Sequence, residues 1–245
     1  MIKLTLPPKP EKLAQEEASL TQEFIESGKT KAVWKKDYIV DPLMEMSNGK
    51  CAYSEIKLGE ESKYMHVEHF KHKDKYPEDV VKWGNLLPSC QKCNSTKGTV
   101  DMVATPIINP LFDEPREHLY VQAFRFYERD DKGDRTIKLV ALNDNAHFVK
   151  PRFRTALNII SLIEANFKLL KCSDSNIEIA HNLSNLKSIL DSCGPESEYS
   201  AVIATYLLYE CPSVNEVMRY LKENGYWDED FDKIFCTLES IALPK

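Results

Sequence analysis

From about residue 144 onward, apolar residues recur at three and four positions, the period of a helix with one buried face. Ala156, Ile160, Ile163, Phe167 and Leu170 make one stripe, and Ile179, Leu183, Leu186 and Leu190 a second. Val202, Tyr206 and Tyr209 follow, then Val214, Val217 and Leu221, then Phe231, Ile234, Leu238 and Ile241. Gly194-Pro195, Pro212 and Asn224-Gly225 punctuate these stripes, as helix ends require. The pattern predicts an all-α region over 144–245. At the other end, Pro7-Pro8-Lys9-Pro10 is extended and gives way to a polar helix near 10–27. A second helix is expected through 36–47, closed by the Asn48-Gly49 turn. Residues 1–48 thus read as a helical N-terminal arm or lid.

The middle of the chain has neither period for long. Residues 51–101 are turn-rich, with short strands and a helix beginning near Asn94. Pro106-Ile-Ile-Asn-Pro110 holds too much proline for a helix. Leu119, Val121 and Phe124 predict one strand over 119–128, and Ile137, Leu139 and Ala141 predict another over 135–142. Asp130-Asp-Lys-Gly-Asp134 between them is turn chemistry, so a hairpin is expected. The reading is an α+β chain with boundaries 1–48, 49–143 and 144–245.

Composition narrows the class. With 42% hydrophobic and 29% charged residues, the 245-residue chain has the make-up of a soluble globular protein. It lacks a run of the roughly 18 apolar residues that a membrane helix needs. The N-terminus lacks the apolar core and small-residue site of a signal peptide, so a cytoplasmic protein is expected. Seven cysteines, an odd number, point to metal binding rather than a disulfide framework. The net charge of −6 is unevenly spread. Residues 172–245 hold 13 Asp/Glu against 5 Lys/Arg, which suits folding against the core or a partner protein better than a nucleic acid. Lys71, Lys73, Lys75, Lys92 and Lys97 cluster instead in the middle segment, where they can meet phosphate.

That segment also carries the candidate chemistry. Cys51-Ala-Tyr-Ser54, Val67-Glu68-His69-Phe70, Trp83-Gly-Asn85-Leu86 and Cys90-Gln-Lys-Cys93-Asn94-Ser-Thr-Lys97-Gly98 fall within one stretch of 48 residues. Two Cys-x-x-Cys turns would build a four-thiolate zinc clip, but Ser54 stands in the fourth place. Three readings stay open for Cys51, Cys90 and Cys93: structural Zn²⁺ with a substitute ligand or water, a metal-free knuckle held by packing, or a mobile clip. Phosphodiester hydrolysis needs a base for water and a cation beside the phosphate. His69 suits the base, and Glu68 offers a hard oxygen to Mg²⁺ or Mn²⁺. Asn94, fixed next to Cys93, is a second metal ligand. Asn85 is a candidate brace for the backbone carrying His69. Lys97 and Lys73 are candidate phosphate contacts. Neighbours on a strand face opposite sides, so Glu68 and His69 share a site only where the backbone bends.

The order Cys-x-x-(Cys), Glu-His, Asn-Leu, Cys-x-x-Cys-Asn-x-x-Lys-Gly resembles the HNH family of ββα-metal endonucleases. The resemblance implies that Glu68 and Asn94 bind the divalent metal, His69 activates water and Asn85 orients the loop. It departs from the family's commoner pattern at Glu68, where Asp is common, at Asn94, where His is common, and at Ser54. Residues 45–155, with Ile108-Asn-Pro110, Asp113-Glu-Pro-Arg-Glu-His-Leu119, Leu142-Asn143 and Arg152, further resemble the PtuB-type HNH nuclease subunits of Septu anti-phage systems and retron-associated nucleases. This implies a ββα-metal module with a zinc-knuckle-like clip and a hairpin. It further implies a DNA endonuclease that works as the effector of a defence complex with an SMC/ABC-type ATPase. Two alternatives share the residues: a ribonuclease acting on tRNA, and a non-catalytic knuckle that only binds.

Overall fold

The computed structural model describes residues 1–59 and 64–245. It is an α+β molecule with two small antiparallel sheets and an all-helical C-terminal part. It divides into two compact units. One comprises residues 1–119 and 128–142, the other 120–127 and 143–245.

In the first unit, α1 (Glu11–Glu26) and α2 (Asp37–Met46) are amphipathic. Leu13, Leu20 and Phe24 of α1 and Ile39 and Leu43 of α2 are buried together with Val33, Val80, Val81, Trp83 and Leu86. These spacings of four and seven residues put one face of each helix into the core. The Trp83 indole N–H donates to the Pro7 carbonyl at 2.8 Å, which pins the extended N-terminal stretch. The chain then forms β1 (Met65–His69) and β2 (Leu86–Cys90), paired antiparallel with Glu68 opposite Leu87 and His69 opposite Leu86. α3 (Gln91–Lys97) follows directly, giving a ββα unit. α3 begins three residues before Asn94 and stops at Gly98, whose φ of 53° suits glycine. The turn at 51–56 hangs on β2 by the Ala52 N–H, which donates to Pro88 O at 2.8 Å.

The hairpin differs from its prediction. Both of its strands, β3 (Leu119–Gln122) and β4 (Arg125–Glu128), lie within the first predicted strand. The turn residues Ala123 and Phe124 take positive φ values of 47° and 64°. The expected strand over 135–142 is a correction: α5 (Asp131–Leu139) occupies most of it, following the one-turn α4 (Pro115–His118) and the hairpin. The segment expected as a turn is the start of that helix. Asp130 accepts from the Gly133 N–H at 2.8 Å, an N-cap bond, and the 3–4 spacing of Thr136 and Val140 places them inside. Gly133 lies so close to the His118 carbonyl that a Cβ there would sit 2.1 Å from its oxygen.

In the second unit, one π turn (Asn145–Val149) leads into α6 (Lys150–Lys171). α7 (Asn176–Asp191), α8 (Ser200–Tyr209), α9 (Pro212–Glu223) and α10 (Glu229–Ile241) complete it. Ser175 and Glu178 close a capping box on α7. Arg152 is fully buried, its guanidinium 4.8 Å from the Phe126 ring centre and 5.6 and 5.7 Å from those of Phe148 and Tyr199. Among the described residues, no helix is long and apolar enough to cross a membrane.

Candidate active site

The ββα unit places Glu68, His69 and Asn94 on the lining of one cleft of about 660 Å³. His69 is the last residue of β1 and, like its neighbour Glu68, lines the cleft. Its Nε2 lies 2.9 Å from Val80 O. A carbonyl only accepts, so Nε2 carries the proton and Nδ1 keeps the lone pair. Burial pushes the imidazole down to about 3; the Val80 bond opposes this, and the charges of Lys73 and Lys97 add to it. The ring is therefore neutral at physiological pH. Trp34 packs against it edge to face, with ring centres 4.6 Å apart.

Glu68 is 3% exposed. Burial raises its carboxyl to about 7, although the Lys97 ammonium beside it pulls the other way. Lys97 Nζ stands 2.5 Å from Glu68 Oε1 and donates to the His69 carbonyl at 3.0 Å. Cys93 and Lys97, four apart on α3, share its buried face. Lys97 was expected at a phosphate; the structure places it inside, 1% exposed, holding the end of β1. Oε1 is met by the Lys97 ammonium as a buried ion pair. The Glu68 carboxylate and the half-buried Asn94 amide line the same cleft, and both are hard oxygen donors of the kind that could hold Mg²⁺ or Mn²⁺.

Asn85 does not face the cleft. It sits behind the loop that follows His69 and ties it down. Its Oδ1 accepts from the Lys71 N–H at 2.7 Å, and its Nδ2 donates to Lys71 O and Asp79 O at 3.1 and 3.0 Å. Its own carbonyl accepts from the Phe70 N–H at 2.9 Å. Lys73 reaches the cleft and lies 3.3 Å from Asp74.

Below the sheet, Cys51, Cys90 and Cys93 are buried with their sulfurs within 4.8 Å of one another. A tetrahedral zinc with bonds near 2.3 Å needs sulfurs about 3.8 Å apart, so the trio could hold a metal such as zinc. Ser54 Oγ, 3.7 Å from Cys90 Sγ, occupies the remaining side. Burial works against ionising Cys51, but hydrogen bonds from Cys90 and Cys93 outweigh it and hold this thiol well below its ordinary value. The bond to Cys51 pushes Cys90 up to about 12, and burial drives Cys93 up as well. Tyr53 is fully buried between this cluster and Glu68, and its hydroxyl has no hydrogen-bond partner among the described residues.

Trp34, Tyr53 and the Val80 carbonyl belong to the surroundings of the site but were not singled out from the sequence. Trp34 lies 35 positions before His69 and Val80 contributes only backbone, so neither carries a spacing signal.

No family model matches the chain. It is 38% identical over 248 residues to the Septu protein PtuB of Bacillus thuringiensis, covering 99% of this chain and 95% of that protein. It is 27% identical over 201 residues to the Septu protein PtuB of Bacillus mycoides (strain KBAB4), covering 64% of this chain and 68% of the relative.

Proposed function

The chain belongs to the family of the Septu protein PtuB, and on that premise we propose that it is the metal-dependent HNH-type endonuclease of a Septu defence complex, cutting DNA phosphodiester bonds. The observation that carries this reading is the meeting of Glu68, His69 and Asn94 in one cleft. In the proposed reaction, His69 Nδ1 takes a proton from water, whose oxygen attacks the phosphorus. The bond to the leaving sugar oxygen breaks, and that oxygen takes a proton from a solvent water as it departs. Val80 fixes the tautomer, and Lys97 and Asn85 fix the strand end and the loop on either side of the ring. A divalent ion held by Glu68 and Asn94 would offset charge on the phosphate and on the leaving oxygen. The thiol trio, with zinc, would serve only to hold the ββα unit.

The partner we propose is an SMC/ABC-type ATPase of the same system, received by the acidic helical region. RNA remains the second reading for the substrate, because one base and one cation serve either backbone. The test is cleavage of plasmid DNA and of total tRNA by the full-length chain co-purified with its ATPase, with Mg²⁺ or Mn²⁺. His69→Ala should lower cleavage by about 10²–10⁴-fold with an unchanged circular dichroism spectrum. Wild-type rates in that variant would remove His69 as the base, and cleavage of tRNA alone would move the substrate to RNA.

A further inference from the structure

The wall of the cleft outside the reacting groups has a composition that phosphodiester chemistry alone does not require. Trp34 and Tyr64 line it, with Lys35 and Lys73 alongside. Among the described lining residues, Glu68 is the one acid, although the chain carries a net charge of −6. Tyr64 is 76% exposed, a large aromatic left in water beside the site. Trp34 is held from behind by an edge-to-face contact with Phe24, ring centres 5.9 Å apart, and touches His69 at 4.6 Å. The Lys73 ammonium stands 5.8 Å over the Trp34 ring, and both residues line the cleft. A volume of about 660 Å³ lies within the roughly 300–1,000 Å³ of sites that enclose a small ligand.

From this arrangement we infer that the cleft contains a nucleobase subsite, with Trp34 as the stacking platform and Tyr64 as its outer wall, and that the strand cut here is single-stranded or unstacked at the scissile step. The inference rests on the nuclease reading and specifies its substrate. In a duplex both faces of every base are covered by neighbours. A base reaches the face of an indole only after leaving that stack. Trp34 touches the ring proposed as the base, so the platform lies one residue from the reacting phosphate. The nucleotide that supplies the phosphate must therefore place its base, or the next one, on that ring. Lys73, now 3.3 Å from Asp74 at the rim, and Lys35 are placed to take the flanking phosphates. Stacking reads any base, so little sequence preference is expected from this subsite.

The test uses the full-length protein in EDTA, where binding is read without cleavage. Fluorescence anisotropy compares 12-nucleotide single strands of DNA and of RNA, a duplex of the same length, and single strands with one abasic position scanned along the oligonucleotide. Single strands should bind at least about ten-fold tighter than the duplex, and the abasic change should weaken binding about ten-fold at one or two positions only. Trp34→Leu should cost about ten-fold, Trp34→Phe should retain binding within about three-fold, and Tyr64→Ala, on an exposed ring, should give a smaller loss in a folded protein. The DNA and RNA arms tell which sugar the subsite accepts. Equal or tighter binding of the duplex, or indifference to every abasic position, overturns the subsite. Metal-dependent cleavage by wild type would then leave the nuclease reading standing, so the two failures are distinguishable.

Discussion

The two units bury charge to different extents. In the first, among the described residues, Lys50, Glu55, Glu68, His69, Asp79 and Lys97 are all inside. In the second, among the described residues, the buried charged side chain is Arg152, wrapped by Phe126, Phe148 and Tyr199. Burying charge is costly unless it is paired, so a unit that does it repeatedly is built for something besides cohesion. The second unit is held by stripes of Leu, Ile, Val and Phe, and its buried Arg152 is met by ring faces and by the Phe124 carbonyl at 3.5 Å. The first gives up part of that apolar cohesion to keep a carboxylate, an imidazole and an ammonium within reach of one another.

This contrast can be broken most sharply at Lys97. Lys97→Met leaves Glu68 buried without its cation and should cost about 3–5 kcal/mol at pH 8, measured by urea unfolding in EDTA. The sign with pH follows from Glu68, whose carboxyl is raised to about 7 in the folded chain. Lys97 is what holds that value down, so without it the carboxyl rises further, and the loss should shrink as the pH falls and the carboxyl takes a proton. A loss under about 1 kcal/mol at pH 8 would mean that the pair does not hold the unit. Arg152→Met should cost about 2 kcal/mol or more, because the desolvated cation–π contacts and the bond to the Phe124 carbonyl are lost together. Metal-dependent cleavage should be unaffected; a drop in cleavage would show that the second unit enters the chemistry.

A third measurement concerns the same carboxylate as a ligand. Mn²⁺ affinity by isothermal titration should fall about ten-fold per unit below pH 7 and level off above it, because the ion must displace the Glu68 proton. A flat profile would remove Glu68 from the metal site. The smallest effect is expected at the cap of α5. Asp130→Ala should cost about 1 kcal/mol in thermal unfolding, through the lost bond to the Gly133 N–H. No change would mean that the helix is held by packing alone.

That last helix marks where sequence reading ran out. Ile137, Leu139 and Ala141 alternate as a strand would, and Asp130 to Asp134 reads equally as a turn or as a capped helix start. Five residues cannot separate a period of two from one of 3.6 when an N-cap and a close approach at Gly133 to the His118 carbonyl decide the matter. The long stripes after residue 150 carried the period over enough turns to leave no such ambiguity. Asn85 showed a related limit: its place between the motif pieces suggested a brace, but which backbone groups it ties depends on a loop from Phe70 to Asp79 that has no period.

By itself, the sequence determined which side chains are available for chemistry and where the helices of the second unit run. Both are local properties, written in spacings of two to four residues and in motif pieces only tens of residues apart. The tertiary structure alone decided that Lys97 turns inward to Glu68, that Val80 sets the proton on His69, and that Trp34 lies against the imidazole. Those contacts join residues 11 to 35 positions apart through backbone carbonyls and packed ring edges, and only the folded core fixes where such groups meet.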